Sequence, residues 1–124
     1  MNEDQKTLNG FGKDLFAGIP VKDYNTSLRW YERLFGCPPT FLPNETEAVW
    51  QIAEHQWVYI IVQPEKAGGA INTILGSNLD KLIAEISERG LDFSKEEIPA
   101  ENTRKVMYFD PDGNEIGFGS APSE

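Results

Sequence analysis

The chain has 124 residues, 40% of them hydrophobic, with 20 acidic against 11 basic side chains and a formal charge of −9. This is the length of one domain, enough to bury roughly two thirds of the surface exposed by the unfolded chain. The acidity, with no basic cluster beyond the adjacent Arg104 and Lys105, argues against nucleic acid and anionic membrane as partners. No apolar run approaches the ~20 residues of a spanning helix. The opening MNEDQKTLNG is acidic and polar, unlike a signal peptide, so a soluble, cytoplasmic protein is expected. Cys37 is the only cysteine, which excludes an internal disulfide and a cysteine-rich zinc site. It precedes Pro38-Pro39 in an expected loop and reads as a packed or partly exposed thiol.

Residues 1–14 lack periodicity and contain Asn9-Gly10 and Gly12, so a flexible arm is expected. Leu15 to Val21 is a short apolar run that reads as a first strand, with Pro20 placing it near an edge or an end. Asp23 is suited to cap a helix, and Ser27, Trp30, Tyr31 and Leu34 follow as a one-sided stripe that Gly36 can end. Trp30 and Tyr31 read as core. Pro38-Pro39 enforces an extended link, Thr40 to Leu42 reads as a short strand, and Pro43-Asn44 as a turn. Ala48 to Ala53 and Trp57 to Gln63 are strands around Glu54-His55-Gln56. Alternation along the second puts Trp57, Tyr59 and Ile61 on one face and Val58, Ile60 and Val62 on the other.

Residues 64–70 (PEKAGGA) read as a linker. Ile71 to Leu75 is a new strand, Asn78 a second cap, and Leu79, Leu82, Ile83 and Ile86 a second stripe closing at Gly90. Leu91 to Ile98 is a weak strand or loop. Arg104 to Asp110 and Glu115 to Phe118 form a hairpin around Asp-Pro-Asp-Gly-Asn, a dense turn signal: Pro111 presets φ, Gly113 accepts φ > 0, and Asp112 and Asn114 can bond their own backbone. After the turn Gly117 and Gly119 alternate with Ile116 and Phe118, so one face is bare at two points. In a strand that marks a place where another group comes close. Residues 120–124 read as a polar tail.

The two halves repeat as strand, cap, helix and three strands. At an offset of 55 (Asn78 on Asp23), Phe16 falls on Ile71, Tyr24 on Leu79, Ser27 on Leu82, Leu28 on Ile83 and Tyr31 on Ile86. Duplication of a βαβββ unit explains this economically. With Val21 to Gly36 (VKDYNTSLRWYERLFG) and Phe109 to Ile116 (FDPDGNEI), the layout resembles the vicinal oxygen chelate superfamily of glyoxalase I, extradiol dioxygenases, and bleomycin- and fosfomycin-resistance proteins. The resemblance covers Leu15 to Gly119. It implies an α+β fold of two tandem βαβββ modules, about 15–63 and 71–119, forming a curved, partly open barrel-like sheet with a cleft, commonly as a homodimer.

The resemblance also supplies a test. Its metal enzymes place a His near the start of each module's first strand and a Glu or His on each last strand. Those positions fall on Phe16, Ile71, Tyr59 and Gly117, the last two related by an offset of 58 taken from the turns. None offers the imidazole or carboxylate that zinc, for instance, needs within about 2.0–2.2 Å. No metal and no cofactor are therefore expected.

What stands there instead suggests a pocket. Alternation places Phe16, Gly18, Trp57, Tyr59, Thr73 and Leu75 on the cleft side, an aromatic floor able to stack on flat ligands. Phe16, Trp57, Tyr59, Thr73, Leu75, Arg104 and Gly117 are the candidate ligand-binding residues, with Arg104 able to pair with an anionic group. His55 and Glu115 are weak catalytic candidates, the histidine reading first as an exposed turn residue and the glutamate as a solvent or rim residue. The reading is a metal-independent protein that binds an apolar or aromatic small molecule, the acidity favouring a cationic one. The alternatives are a lyase or dioxygenase with a metal site relocated among His55, Glu54, Glu115 and Asp110, and a non-catalytic dimeric regulatory module.

Overall fold

The computed structural model describes residues 8–120. The order strand, helix, three strands occurs twice: β1 (Leu15–Val21), α1 (Tyr24–Phe35), β2 (Phe41–Asn44), β3 (Glu47–Ala53) and β4 (Gln56–Val62), then β5 (Ile71–Gly76), α2 (Leu79–Glu88), β6 (Lys95–Glu97), β7 (Arg104–Phe109) and β8 (Glu115–Ser120). Each unit builds one sheet, ordered β1-β4-β3-β2 and β5-β8-β7-β6. The first and last strands of each unit pair in parallel, and the other neighbours are antiparallel. The parallel registers set Gly18 opposite Tyr59 and Thr73 opposite Gly117. These pairs correspond by the offsets read from the sequence, 73 − 18 = 55 and 117 − 59 = 58.

The apolar alternation decides which face of each sheet is covered. Ile19, Val21, Ala48, Trp50, Val58 and Ile60 from the first sheet and Val106, Tyr108, Ile116 and Phe118 from the second meet Tyr31, Leu34, Leu79 and Ile86 of the helices in one core. Each fully buried aliphatic or aromatic side chain of this kind contributes roughly 1.5–3 kcal/mol. The other face of each sheet is open, and Phe16 and Phe41 on the first and Ile71 and Leu75 on the second are exposed there. Among the described residues no helix is long and apolar enough to cross a membrane.

The caps follow the residue chemistry in α1. The Asp23 carboxylate accepts from the Thr26 N–H at 2.8 Å, and Gly36 ends the helix at φ 79°, its N–H donating to Glu32 O at 2.8 Å. In α2 the expectation fails in detail. Asn78 precedes the helix in a left-handed conformation (φ 62°), and its side chain makes no capping hydrogen bond.

Two further expectations are corrected. Pro43 and Asn44 belong to β2, and the turn falls at Glu45-Thr46, where Asn44 Oδ1 accepts from the Thr46 N–H at 2.9 Å. Because β2 is an edge strand, the missing N–H of Pro43 costs no ladder bond. The stretch Leu91 to Ile98, expected as a weak strand or loop, holds the three-residue edge strand β6, in line with that reading. Strand β8 continues to Ser120, one residue past the expected limit of the domain. Part of the expected arm (residues 1–7) and of the tail (121–124) lies outside the described residues.

The β7–β8 turn joins the modules. Asp110 Oδ1 accepts from the backbone N–H groups of Asp112 and Asn114, both at 2.9 Å, which closes the turn. Its Oδ2 accepts from the Tyr31 hydroxyl of α1 at 2.7 Å and from Asn114 Nδ2 at 2.9 Å. Asn114, fully buried, also donates to Pro20 O of β1 at 2.8 Å and accepts from Gly68 N at 3.1 Å and Ala70 N at 2.9 Å. The side-chain amide of Asn114 thereby ties the linker, β1 and the closing hairpin together. Such a network is stabilising because every buried member has a partner.

Candidate ligand-binding site

On the open face of the first sheet, β1 presents Phe16 and Gly18, β4 presents Trp57 and Tyr59, and β3 presents Glu47, Val49 and Gln51 in register beside them. The Phe16 and Trp57 rings stack with centroids 5.3 Å apart and planes 4° from parallel, and Phe41 of β2 meets Trp57 edge-on at 6.0 Å. Phe16, Phe41, Pro43, Glu47, Val49 and Tyr59 line a groove of about 310 Å³. Gly18 is required for this arrangement, since a Cβ there would lie 2.7 Å from the Tyr59 hydroxyl and ring. The Tyr59 phenol therefore lies over Gly18 of β1, and the groove is lined by aromatic rings and by Glu47.

At one end of the face the Trp57 indole N–H donates to Asp14 Oδ1 at 3.3 Å, and His55 Nδ1 lies 3.1 Å from the same oxygen. The Trp57 bond, followed by that of His55, holds the Asp14 carboxyl below the usual aspartate range. His55 is exposed in the β3–β4 turn, as its position in the sequence predicts.

On the second sheet the open face carries Ile71, Thr73 and Leu75 from β5, Glu115, Gly117 and Gly119 from β8, and Lys105, Met107 and Phe109 from β7. The bare positions are filled from the neighbouring strands. A Cβ on Gly119 would lie 2.9 Å from Leu75 Cδ2, and one on Gly117 would lie 2.6 Å from Lys105 Cε. Gly117 is therefore buried under a lysine rather than left as an open hollow. Of the two positions expected for Glu115, solvent or rim, full solvent exposure does not hold: its side chain, 19% exposed, faces Lys105 Nζ at 3.6 Å.

Arg104 is not part of the open face. It shares the parity of Val106 and Tyr108, so its guanidinium lies on the helix side, donating to Asp80 Oδ1 and Glu96 Oε2, both at 2.5 Å. It lines a separate groove with Asn78, Leu79, Asp80, Lys81 and Ser120. The pair Arg104-Lys105 thus divides between the two faces, and the residue facing the cleft is the one the sequence reading passed over. Phe41, Pro43, Glu47 and Val49 were also missed. For Glu47 and Val49 the signal was the alternation of β3 opposite Trp57 and Tyr59, whereas Phe41 and Pro43 come from the edge strand β2, which sets Phe41 against Val49.

A divalent metal does not suit these residues. Phe16, Tyr59, Ile71 and Gly117 present a phenyl ring, a phenol, an alkyl group and no side chain. The donors considered for a relocated site do not converge. His55 and Glu54 belong to the β3–β4 turn, Asp110 is engaged in the buried turn, and Glu115 faces Lys105. Among the described residues no group of three or more His, Cys, Asp or Glu could hold an ion.

The fold and the repeat have clear relatives. The structure of a glyoxalase/bleomycin resistance protein from Catenulispora acidiphila DSM 44928 is 48% identical in sequence, with a TM-score of 0.85 over 90% of this chain and 100% of that one. A bleomycin-binding protein complexed with bleomycin shares the fold at 15% identity, with a TM-score of 0.71 over 89% of this chain and 99% of that one. Lactoylglutathione lyase from Agrobacterium tumefaciens does so at 11% identity, with a TM-score of 0.70 over 86% and 92%. No curated protein sequence matches the chain. The family model described as Glyoxalase/Bleomycin resistance protein/Dioxygenase superfamily matches residues 14–118, and the chain belongs to that superfamily.

Proposed function

We propose that this protein binds an apolar or aromatic small molecule on the open face of its first sheet, without a metal ion. The observation that carries the reading is the groove of Phe16, Phe41, Val49 and Tyr59, kept clear by Gly18 and edged by Glu47. The exposed ring faces of Phe16 and Phe41 can stack on a flat ligand, and the Glu47 carboxylate suits a cationic substituent. The bleomycin complex of a fold relative supports a binding role, although the lyase among the relatives shows that the fold also serves chemistry. Donor chemistry at the four inherited positions favours binding over metal-assisted catalysis.

The ligand face is half of a site. Phe16 and Phe41, at 49% and 44% exposure, leave apolar surface around the groove on the first open face, and we propose that a second copy of the chain closes over it. Titration with cationic aromatic compounds, read by tryptophan fluorescence, tests the binding. Saturable quenching that Trp57→Ala and Tyr59→Ala weaken supports it, and wild type and variants responding alike overturns it. Stoichiometric metal in the purified protein, bound through His55 or Glu115, would replace this reading with a catalytic one. Sedimentation velocity gives the assembly state.

A further inference from the structure

The second open face has the opposite chemistry to the groove just described. Thr73 and Lys105, from the strands on either side of β8, converge over Gly117: a Cβ there would lie 2.6 Å from Lys105 Cε, 3.4 Å from Thr73 Oγ1 and 3.6 Å from Lys105 Nζ. The lysine stem rests on bare backbone, so its ammonium is held on the sheet with its side chain only 21% exposed. Its one ionic partner among the described residues is Glu115 Oε2, and the 3.6 Å separation exceeds hydrogen-bond length. Neither Lys105 Nζ nor Thr73 Oγ1 donates a hydrogen bond to another described residue. An ammonium has three donors and a hydroxyl one. Apolar Ile71 and Leu75 stand exposed beside them on β5.

We infer that Lys105 and Thr73 form a binding point for an oxyanion, a carboxylate, sulfonate or phenolate oxygen, on a ligand whose apolar body lies against Ile71 and Leu75. Two donors converge on one spot, while the single carboxylate stands to one side at the start of β8, so the group recognised is an acceptor. A charge-assisted hydrogen bond in a partly buried place is stronger than a neutral one. Packing on Gly117 reduces the rotamer freedom that a surface lysine loses on binding. Glu115 orients the ammonium and also competes with the ligand, so its charge limits affinity. The inference goes beyond the proposed function: it concerns the second sheet and the opposite charge, and it stands even if the aromatic groove takes no ligand.

Titration with 8-anilinonaphthalene-1-sulfonate, beside its neutral parent N-phenyl-1-naphthylamine, tests it on the full-length protein. Lys105→Met should weaken the sulfonate probe roughly tenfold or more and change the neutral probe less than about twofold. Lys105→Arg should retain most of the affinity, Thr73→Val should lose part of it, and Glu115→Gln should tighten it. Tyr59→Ala should leave the sulfonate preference intact, which separates this site from the groove of the first sheet. Circular dichroism confirms that each variant is folded. Equal sulfonate binding by wild type and Lys105→Met, an equal loss for both probes, or no saturable sulfonate binding overturns the inference.

Discussion

The Tyr31 hydroxyl donates a 2.7 Å hydrogen bond to the Asp110 carboxylate across 79 positions of the chain, joining the first helix to the last turn. Burial, followed by the Asp110 charge, pushes the phenol well above the usual tyrosine range, which favours the neutral hydroxyl as the donor. Replacing it removes one of two side-chain donors to a buried carboxylate oxygen. Tyr31→Phe should cost about 1–3 kcal/mol, read as a lower urea midpoint with an unchanged slope. An unchanged midpoint would show that the contact is redundant.

Asn114 should be more sensitive. Its amide donates to Pro20 O and Asp110 Oδ2 and accepts from two linker N–H groups, so truncation orphans partners in β1, in the turn and in residues 68–70. Asn114→Ala should cost on the order of 3 kcal/mol or more. Hydrogen exchange should show the linker amides of Gly68 and Ala70 losing protection first.

Gly18, Gly36 and Gly117 should respond differently to alanine. At Gly36 the backbone is left-handed at φ 79°, and Gly36→Ala should cost roughly 1–2 kcal/mol on that account. At Gly117 the group displaced is the flexible end of Lys105, so Gly117→Ala should change stability by less than about 1 kcal/mol. At Gly18 the group displaced is the Tyr59 ring, so Gly18→Ala should leave the protein folded and weaken the groove's ligand. Thermal melts and fluorescence titration together distinguish the three.

Hydrogen bonds from Thr26 hold the Asp23 carboxyl below the 3.8 typical of aspartate. A carboxyl with a depressed folded value contributes stability that is present above the unfolded value and lost as pH falls through the folded one. Asn caps a helix about as well as Asp but does not titrate. Wild type and Asp23→Asn should therefore melt at similar temperatures at pH values below the depressed folded value, with the wild type gaining as pH rises from there to about 3.8 and keeping that gain at higher pH. Parallel pH profiles of the two melting temperatures would contradict this.

Tyr108 offers a test of opposite sign. Its hydroxyl is buried without a hydrogen-bond partner among the described residues, and burial raises its pKa. Tyr108→Phe removes an unsatisfied group while keeping the ring between Phe93 and Phe118. Stability should be unchanged or rise by up to about 1 kcal/mol. A marked loss would reveal a bound water on that hydroxyl.

The alternation of β1, β4 and β8, the Asp23 and Gly36 caps and the hairpin turn are short-range patterns, and the sequence by itself determined them along with the repeat and the two-module fold. Its offsets even equated Tyr59 with Gly117, because parallel pairing in each module repeats one register. Two matters were decided only by tertiary structure. Asp110 and Asn114, legible as turn residues, became the junction between modules because α1, β1 and the linker deliver Tyr31, Pro20, Gly68 and Ala70 to them. Arg104 and Lys105, adjacent and equally charged, separated to opposite faces, one to Asp80 and Glu96 and the other over Gly117. Parity along β7 gives each side chain a direction. What it meets there is set by strands β5 and β8 and helix α2, whose proximity is a product of packing.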